Sequence, residues 1–285
     1  MPRRSLALLL VLLPQLTAAA AEDYPRRLVA GGEGYFPVAL RLADGRIAAV
    51  LRGGGPHLSI HGRLDIVFSS DEGDTWTNPH LVIDTPADDR NPAFGQAKDG
   101  TLVVAFWRTF RYAADGQYAP DSDKPVDTQV TRSTDGGKTW SDPRPIDVSD
   151  VSWASPYGRM LTLADGSMLM NLYGGPVRTP DRKPPAETDN SYVYRSTDNG
   201  LTWKRFSTPG PNGYNETALL ETGAGRLLAA MRTAKDGAVA LAHSADGGKT
   251  WDAPRPLTPP SVHPADLTRL PDGRLLLTCG DRRRP

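Results

Sequence analysis

The residue pair that points most directly to chemistry is Glu216 and Arg232, sixteen positions apart. Glu216 stands just before the apolar run 218–220, and Arg232 closes the next apolar run. A carboxylate at the start of an inner strand is unfavourable unless it is paired or has a function. Glu216 is therefore a candidate catalytic residue. A salt bridge to Arg232 is the structural interpretation, and the two roles are compatible.

Glu216 lies nine residues before Gly225, the glycine of a tight turn, and Arg232 lies seven residues after it. Other polar residues occupy similar positions relative to the glycines of other tight turns. Positions nine or ten residues before each such glycine, and seven or eight after it, fall at one end of the antiparallel hairpins, the end away from the tight turn. Together with Arg232, the substrate-binding candidates at these positions are Tyr35, Arg52, Asn91, Arg108 and His263. Arginine, amide, imidazole and aromatic groups on one face suit an acidic sugar. A solvated strand end is the alternative explanation for the arginines.

Asp65 is the second catalytic candidate, because it enters a third strand from the same face. An ordinary aspartate at the start of a strand is the alternative. His57 and His61 lie in the glycine-rich loop 53–62 on this face, but two loop histidines four residues apart do not predict a metal site. No metal and no cofactor is predicted.

These residues must be positioned by a repeating framework, and the first repeat has the form S-x-D-x-G-x-T-W. It occurs four times, and the copies span residues 69–76, 133–140, 196–203 and 244–251. An aspartate that accepts backbone hydrogen bonds, followed by a glycine with positive φ, is typical of a turn. A metal or acid site is the functional alternative. The structural interpretation is favoured, since a catalytic residue is not needed four times.

A second repeat alternates with the first and ends in a tight turn, usually Asp-Gly, between apolar strands. Its glycines are Gly45, Gly100, Gly166, Gly225 and Gly273. The unit is thus strand, tight turn, strand, loop, strand, eight-residue motif, strand. Four antiparallel strands in about fifty residues predict a β-propeller blade. A β-sandwich does not predict such a repeating unit.

The composition limits the function and the location of the protein. Lys+Arg and Asp+Glu are both 33, and this balance argues against a nucleic-acid ligand. The single cysteine, Cys279, excludes an intrachain disulfide. The basic start, the apolar run 6–13 and the small residues 18–21 predict a signal peptide over 1–21, before a domain over 22–285. The protein is therefore predicted to be exported, periplasmic or extracellular, without a membrane span.

The four eight-residue motifs resemble the Asp boxes of the sialidase (neuraminidase) superfamily. This resemblance implies an all-β fold, a six-bladed β-propeller of the sialidase type, and an exo-alpha-sialidase-like glycoside hydrolase that removes terminal sialic acids. It also implies a tyrosine nucleophile activated by a glutamate, an arginine triad for the substrate carboxylate and an aspartate acid/base. Sialylated or other acidic glycans would be the ligands, and the full-length protein is expected to be a monomer.

The resemblance extends to individual residues. Glu216 resembles the glutamate that activates the tyrosine, and Arg232 resembles a triad arginine. Arg52 looks like an additional pocket arginine. Asn91, followed by proline, resembles a pocket Asp-Pro, and Asp65 is the best match to the acid/base residue.

Two features of the sequence depart from the family pattern. Tyr35 stands where the family has the arginine of an Arg-x-Pro, which keeps open a hydrolase for another acidic sugar or a non-catalytic glycan-binding propeller. The sequence contains five of the tight turns but only four Asp boxes. A propeller truncated after about four and a half blades is therefore expected, with the nucleophile beyond Pro285.

Overall fold

The computed structural model describes residues 26–32, 34–151, 153–175 and 189–283. Within them the chain forms β-strands and no helix, so none that could cross a membrane. The predicted signal peptide, residues 1–21, lies outside the described residues, as does the start of the predicted domain, residues 22–25.

The strands follow one another in antiparallel groups of four, here called blades I to IV, and a two-stranded sheet called blade V; the first strands of blades II and III join these two blades into one eight-stranded sheet. Blade I contains β1 (Tyr35–Arg41), β2 (Ile47–Gly53), β3 (Arg63–Ser69) and β4 (His80–Ile83). Blade II contains β5 (Asp88–Gln96), β6 (Leu102–Thr109), β7 (Val126–Ser133) and β8 (Arg144–Pro145). Blade III contains β9 (Ser155–Thr162), β10 (Met168–Gly174), β11 (Asn190–Ser196) and β12 (Lys204–Gly210). Blade IV contains β13 (Tyr214–Gly223), β14 (Arg226–Thr233), β15 (Val239–Ser244) and β16 (Arg255–Pro256). Blade V contains β17 (Val262–Arg269) and β18 (Leu275–Asp281).

This arrangement is the predicted β-propeller. The first strands of blades II and III run parallel and touch at Ala93–Gly158 and Phe94–Arg159, as inner strands around a common axis do. The predicted all-β fold and the blade repeat are therefore confirmed. The described strands amount to four blades and the inner hairpin of a fifth.

The hydrophobic core lies between blades rather than within one sheet. Phe94 and Phe106 of blade II pack with Ile66 of blade I, and separate clusters join blades II and III, III and IV, and IV and V. The second strands of blades I to IV are buried along most of their length, whereas β18 of blade V is largely exposed. Burial of these side chains, at roughly 25 cal/mol per Å² of apolar surface, holds consecutive blades together.

The Asp boxes are turn staples, as the structural interpretation predicts. In the first box the Asp71 carboxylate accepts hydrogen bonds from the Thr75 amide at 2.9 Å, the Thr75 hydroxyl at 2.5 Å and the Ser69 hydroxyl at 2.8 Å. The Trp76 indole donates to the carbonyl of Gly73 at 3.0 Å. The other three boxes repeat the bonds to the aspartate.

Strand register places the boxes at the opposite end of the blade from Glu216. Arg232, the partner of Glu216, pairs with Val239 at the start of β15, whereas Ser244 at its end pairs with Leu227. The fourth Asp box begins at Ser244. The predicted separation of the boxes from the candidate chemistry is thus confirmed in blade IV.

Candidate active site

The candidate site lies where the inner strands carry a local irregularity. Register shifts occur between Tyr35 and Val38 in β1, and at the equivalent places of β5, β13 and β17. Phe36 and Asn91, at the same position in blades I and II, have φ values of 53° and 51°. Such bulges interrupt pairing and redirect side chains. The position nine before the turn glycine therefore leaves the regular pairing in these four strands.

Glu216 and Arg232 form an ion pair at this end of blade IV. Nη1 of Arg232 donates to Oε2 of Glu216 at 3.0 Å, and both side chains are partly buried, with 32% and 18% exposed. The salt bridge considered from the sequence is therefore present. Nε of Arg232 is buried and has no hydrogen-bond partner among the described residues. Asp189 lies close enough to Arg232 for the guanidinium charge to lower its pKa, although burial, the larger effect, raises it.

Two tyrosines of blade III face this ion pair. Burial, and after it the charge of Glu216, raises the pKa of Tyr157 and of Tyr173. Both phenols are consequently protonated at neutral pH. Tyr157 donates its proton to the carbonyl of Ala265 at 3.2 Å. These tyrosines line the site as hydrogen-bonding groups rather than as phenolates.

Asn91 connects blade II with the tyrosine wall. Its Nδ2 donates to Oγ of Ser155 at 2.9 Å and to the phenol oxygen of Tyr173 at 3.4 Å. Its Oδ1 is buried without a hydrogen-bond partner. A buried acceptor without a donor is unfavourable. A ligand hydroxyl or amide would satisfy it.

His263 lies at the blade V side of the site. Its Nδ1 lies 2.6 Å from the carbonyl of Gly237, so Nδ1 carries a proton and donates it. Burial lowers the pKa of His263, with a further contribution from the charge of Arg232. The neutral ring then leaves Nε2 as an acceptor. The charges of Glu216 and Arg232 both act on His263, so the structure brings these three candidates together.

Arg52 is placed differently, because it is fully buried between blades I and II. Nε and Nη2 donate to Oδ1 of Asp88 at 3.2 and 2.7 Å. Nη1 donates to the carbonyls of Gly55 and Pro56, and Nη2 also donates to that of Ser59. A ligand would reach Arg52 only by displacing one of these partners. In this arrangement Arg52 holds the loop that carries His57.

Arg108 and Tyr35 also have partners of their own. Arg108 donates two hydrogen bonds to Asp127, at 2.8 and 2.7 Å, and its guanidinium lies 5.8 Å from the Phe110 ring. The Tyr35 ring lies 5.8 Å from that of His57. Both lie on the candidate face of the sheets, and their substrate-binding roles stay predictions.

Asp65 is not joined to Glu216 by any hydrogen bond or ion pair of the described residues. It pairs in register with Leu51, and the neighbouring Val67 packs with Leu51 in one cluster, whereas Arg52 pairs with Leu64 in another. Asp65 therefore lies on the opposite face of blade I from Arg52. Its carboxylate accepts from Arg63 at 3.1 Å. Burial raises its pKa, which suits a general acid, and the acid/base role stays a prediction.

Sequence reasoning omitted several groups that the fold brings to this face. They are Asp88, Arg90, Tyr112, Trp153 and Asp189. Arg90 occupies one of the counted positions, ten before Gly100, so that count could have found it. The others lie outside the repeat offsets. Among the described residues, no group of three His, Cys, Asp or Glu side chains could hold a metal ion.

Comparisons with known proteins agree with this geometry. Residues 64–285 match the BNR repeat-like domain family. A sialidase of Bacteroides fragilis (strain YCH46) is 33% identical over 146 residues, which are 48% of this chain and 25% of that protein. The chain thus aligns with about a quarter of the length of this curated relative.

Solved structures show the same fold. A protein of unknown function from Dyadobacter fermentans DSM 18053 superimposes with a TM-score of 0.75 at 29% identity, over 89% of this chain and 78% of that one. The NanB sialidase of Streptococcus pneumoniae superimposes with a TM-score of 0.66 at 15% identity, over 86% of this chain and 56% of that one.

Proposed function

This chain belongs to the BNR repeat-like domain family, within the sialidase superfamily, and from that premise we propose that it is an exo-alpha-sialidase-like glycoside hydrolase. Its substrates would be terminal sialic acids of glycoconjugates. The observation that carries the proposal is the Glu216–Arg232 ion pair at 3.0 Å, at the bulged end of blade IV and away from the Asp boxes. It combines a carboxylate base with a guanidinium that keeps a free donor, Nε.

The proposed chemistry follows from the charge of the substrate. A sialic acid carries a carboxylate on its anomeric carbon, so a carboxylate nucleophile would be repelled, and a neutral tyrosine is the suitable nucleophile. Glu216 would take the phenolic proton as the tyrosine oxygen attacks the anomeric carbon. The glycosidic bond breaks, and the leaving oxygen takes a proton from an acid, for which Asp65 is the candidate. Water then releases the sugar. The tyrosine is not assigned to a residue of this chain.

Substrate binding would use the groups whose hydrogen-bonding atoms have no partner among the described residues. Nε of Arg232 would donate to the sugar carboxylate, and Oδ1 of Asn91 would accept from a hydroxyl or an amide. Charge-assisted bonds of this type are about twice as strong as neutral ones. Tyr157, Tyr173 and His263 would form the wall of the pocket.

Export of the protein is part of the proposal. The basic start and apolar run of residues 1–21 support secretion to the periplasm or the extracellular space, where sialylated glycans are accessible.

A second candidate function is hydrolysis of another acidic sugar, such as a uronic acid. Tyr35 favours it, because a tyrosine offers a single neutral donor where an arginine would offer a charged pair of donors. The Tyr35 ring lies against that of His57, and unlike an arginine it brings no positive charge to the site.

Fluorogenic substrates test the two candidates. The protein is incubated with the 4-methylumbelliferyl glycosides of N-acetylneuraminic acid and of glucuronic acid. The proposal expects release from the sialoside, and release that Glu216→Gln abolishes. Cleavage of the glucuronide alone would establish the second candidate. If neither is cleaved, and sialyllactose binds equally to wild type and to Glu216→Gln, the protein is a non-catalytic binding propeller.

A further inference from the structure

Two guanidinium groups share one carboxylate at the junction of blades I and II. Arg52 and Arg90 are both buried, with 0% and 6% exposed, and the described ion pairs of both go to Asp88. The phenol of Tyr112 also donates to Asp88, at 2.5 Å, and is neutral. The neighbouring His57 has its pKa lowered by burial and then by the charges of Arg90 and Arg52. The set therefore carries one uncompensated positive charge.

The uncompensated charge belongs to Arg90. Asp88 is held by Arg52 through bonds of 2.7 and 3.2 Å, whereas its distance to Nη1 of Arg90 is 3.5 Å. Nη2 of Arg90 lies 3.3 Å from Nε2 of His57, and Nε of Arg90 is buried without a hydrogen-bond partner in the part of the chain that the structure describes. Burying a cation with so little compensation is unfavourable. An anion that binds beside it would remove that penalty.

Arg90 is also held rigidly. Its guanidinium carbon lies 5.9 Å from the centre of the Phe36 ring and 5.5 Å from that of Trp107. Rings on a guanidinium stabilise it and fix its plane. A side chain that is already fixed loses little conformational entropy when a ligand binds. These are the properties of a prepared anion site rather than of a mobile surface arginine.

The position of Arg90 is within reach of the candidate active site. The charges of both Glu216 and Arg90 act on the pKa of Tyr173, so Tyr173 lies near both residues. The Trp153 ring links Trp107 to Tyr173: its centre lies 6.3 Å from that of Trp107 and 5.7 Å from that of Tyr173. Asn91, the next residue after Arg90, donates to Tyr173. A sugar lying on this aromatic wall would therefore lie near both Arg90 and the Glu216–Arg232 pair.

The other arginines of this face are already paired. Arg52 has Asp88, Arg108 has Asp127, and Arg232 has Glu216, each within 3.0 Å. We propose that Arg90 is a further ligand for the carboxylate of an acidic sugar in this site, in addition to Arg232, and that it contributes to the preference for acidic over neutral sugars. This inference rests on the proposed function for its location but not for the identity of the sugar.

Calorimetric titration of the whole protein tests the proposal. The probes are N-acetylneuraminic acid, its carboxyl methyl ester and glucuronic acid. Wild type is expected to bind at least one acid, and to bind N-acetylneuraminic acid more tightly than its ester if that sugar is the ligand. Arg90→Met is expected to weaken binding of the acid roughly 10- to 100-fold, the range for loss of a charge-assisted hydrogen bond, with little effect on the ester. Arg90→Lys is expected to restore part of the loss, because it keeps the charge.

Arg195→Met is the matched control. Arg195 also lies over an aromatic ring, that of Phe206 at 5.2 Å, and has a buried Nε without a partner. It has its own carboxylate, Asp165, at 2.8 Å, and directly precedes the third Asp box. Its replacement is expected to leave binding of the acid unchanged.

Thermal melting shows whether the Arg90→Met variant is folded, so that a loss of binding is not mistaken for a loss of folding. Arg90→Met leaves the Arg52–Asp88 pair balanced, so its melting temperature without ligand is expected to be no lower than that of wild type. The inference is overturned if folded Arg90→Met binds the acid as tightly as wild type, if acid and ester lose affinity equally, or if wild type binds neither acid. Arg90-dependent binding of glucuronic acid alone would retain the inference and refute the sialidase proposal. Normal sialoside cleavage by Arg90→Met, without a change in KM, would retain the sialidase proposal and refute the inference.

Discussion

The Glu216 carboxylate accepts a hydrogen bond from the Arg232 guanidinium at 3.0 Å, across the first two strands of blade IV. The pair is formed by a hairpin whose turn lies at the far end of the blade. One partner lies nine residues before the turn glycine, Gly225, and the other seven after it. The antiparallel register therefore places a base and a cation side by side without help from any other blade.

Replacement of Glu216 by glutamine is expected to remove hydrolysis and leave the fold intact. An amide oxygen still accepts from Arg232, but an amide does not take a proton from a phenol. General-base assistance contributes roughly 10²- to 10⁴-fold in rate, and kcat on an aryl sialoside should fall by that amount. Glu221→Gln is the control, because Glu221 lies on the same strand but bonds the amide of Gly225 in the hairpin turn. An unchanged kcat in Glu216→Gln would exclude Glu216 as the base.

Replacement of Arg232 by methionine is expected to act on binding as well as on rate. Methionine keeps much of the aliphatic stem but removes the donor Nε and the partner of Glu216. The value of kcat/KM should fall roughly 10- to 100-fold, with KM rising, because a charge-assisted contact to the substrate is lost. Steady-state kinetics measure both constants. A fall in kcat alone, with KM unchanged, would contradict a role in binding the substrate carboxylate.

Replacement of Arg52 by methionine is expected to destabilise the protein by about 3–5 kcal/mol, since it breaks a buried ion pair with 0% exposure on both sides. Arg108→Met is the comparison: its pair with Asp127 is more exposed, 23% and 35%, so the loss should be about 1 kcal/mol or less. Urea denaturation measures both. If the two variants are equally stable while KM rises in Arg52→Met alone, Arg52 binds substrate rather than supporting the loop.

The stability of the protein is expected to pass through a maximum in mildly acidic solution. Hydrogen bonds from threonine hydroxyls and amides lower the pKa of Asp71 and of Asp246 from 3.8 to about 2, so their contribution is present above about pH 4 and is lost as the pH falls towards 2. Burial raises the pKa of Asp89 from 3.8 to about 6, so its contribution has the opposite sign and grows as the pH falls from above 6 towards 4.

Urea denaturation across the pH range, followed by tryptophan fluorescence, checks this profile. Asp71→Ala should lower the free energy of unfolding at pH 7 and flatten the decline below pH 4. Asp89→Asn should flatten the rise between pH 6 and pH 4. Identical profiles for wild type and both variants would contradict the assignment of the pH dependence to these carboxylates.

The sequence by itself determined the repeat, the blade and the hairpin pairing, because each depends on contacts between residues close in the chain. A tight turn at a glycine brings its two strands together, and the hairpin that turns at Gly225 places Glu216 beside Arg232. The Asp box is equally local: Asp71 and Thr75 are four residues apart. Patterns of this length are visible in one sequence because the chain repeats them.

Only the tertiary structure decided which charges share partners. Arg52 and Arg232 occupy the same position in their hairpins, yet Arg52 is fully buried against Asp88 of the next blade, 36 residues away, and Arg232 keeps a free donor. Arg90 shares Asp88 with Arg52, and its distance to that carboxylate is 3.5 Å, against 2.7 Å for Arg52. Such contacts are set by how one blade packs on the next. Their electrostatic consequences depend on burial and distance, which the order of residues along the chain does not encode locally.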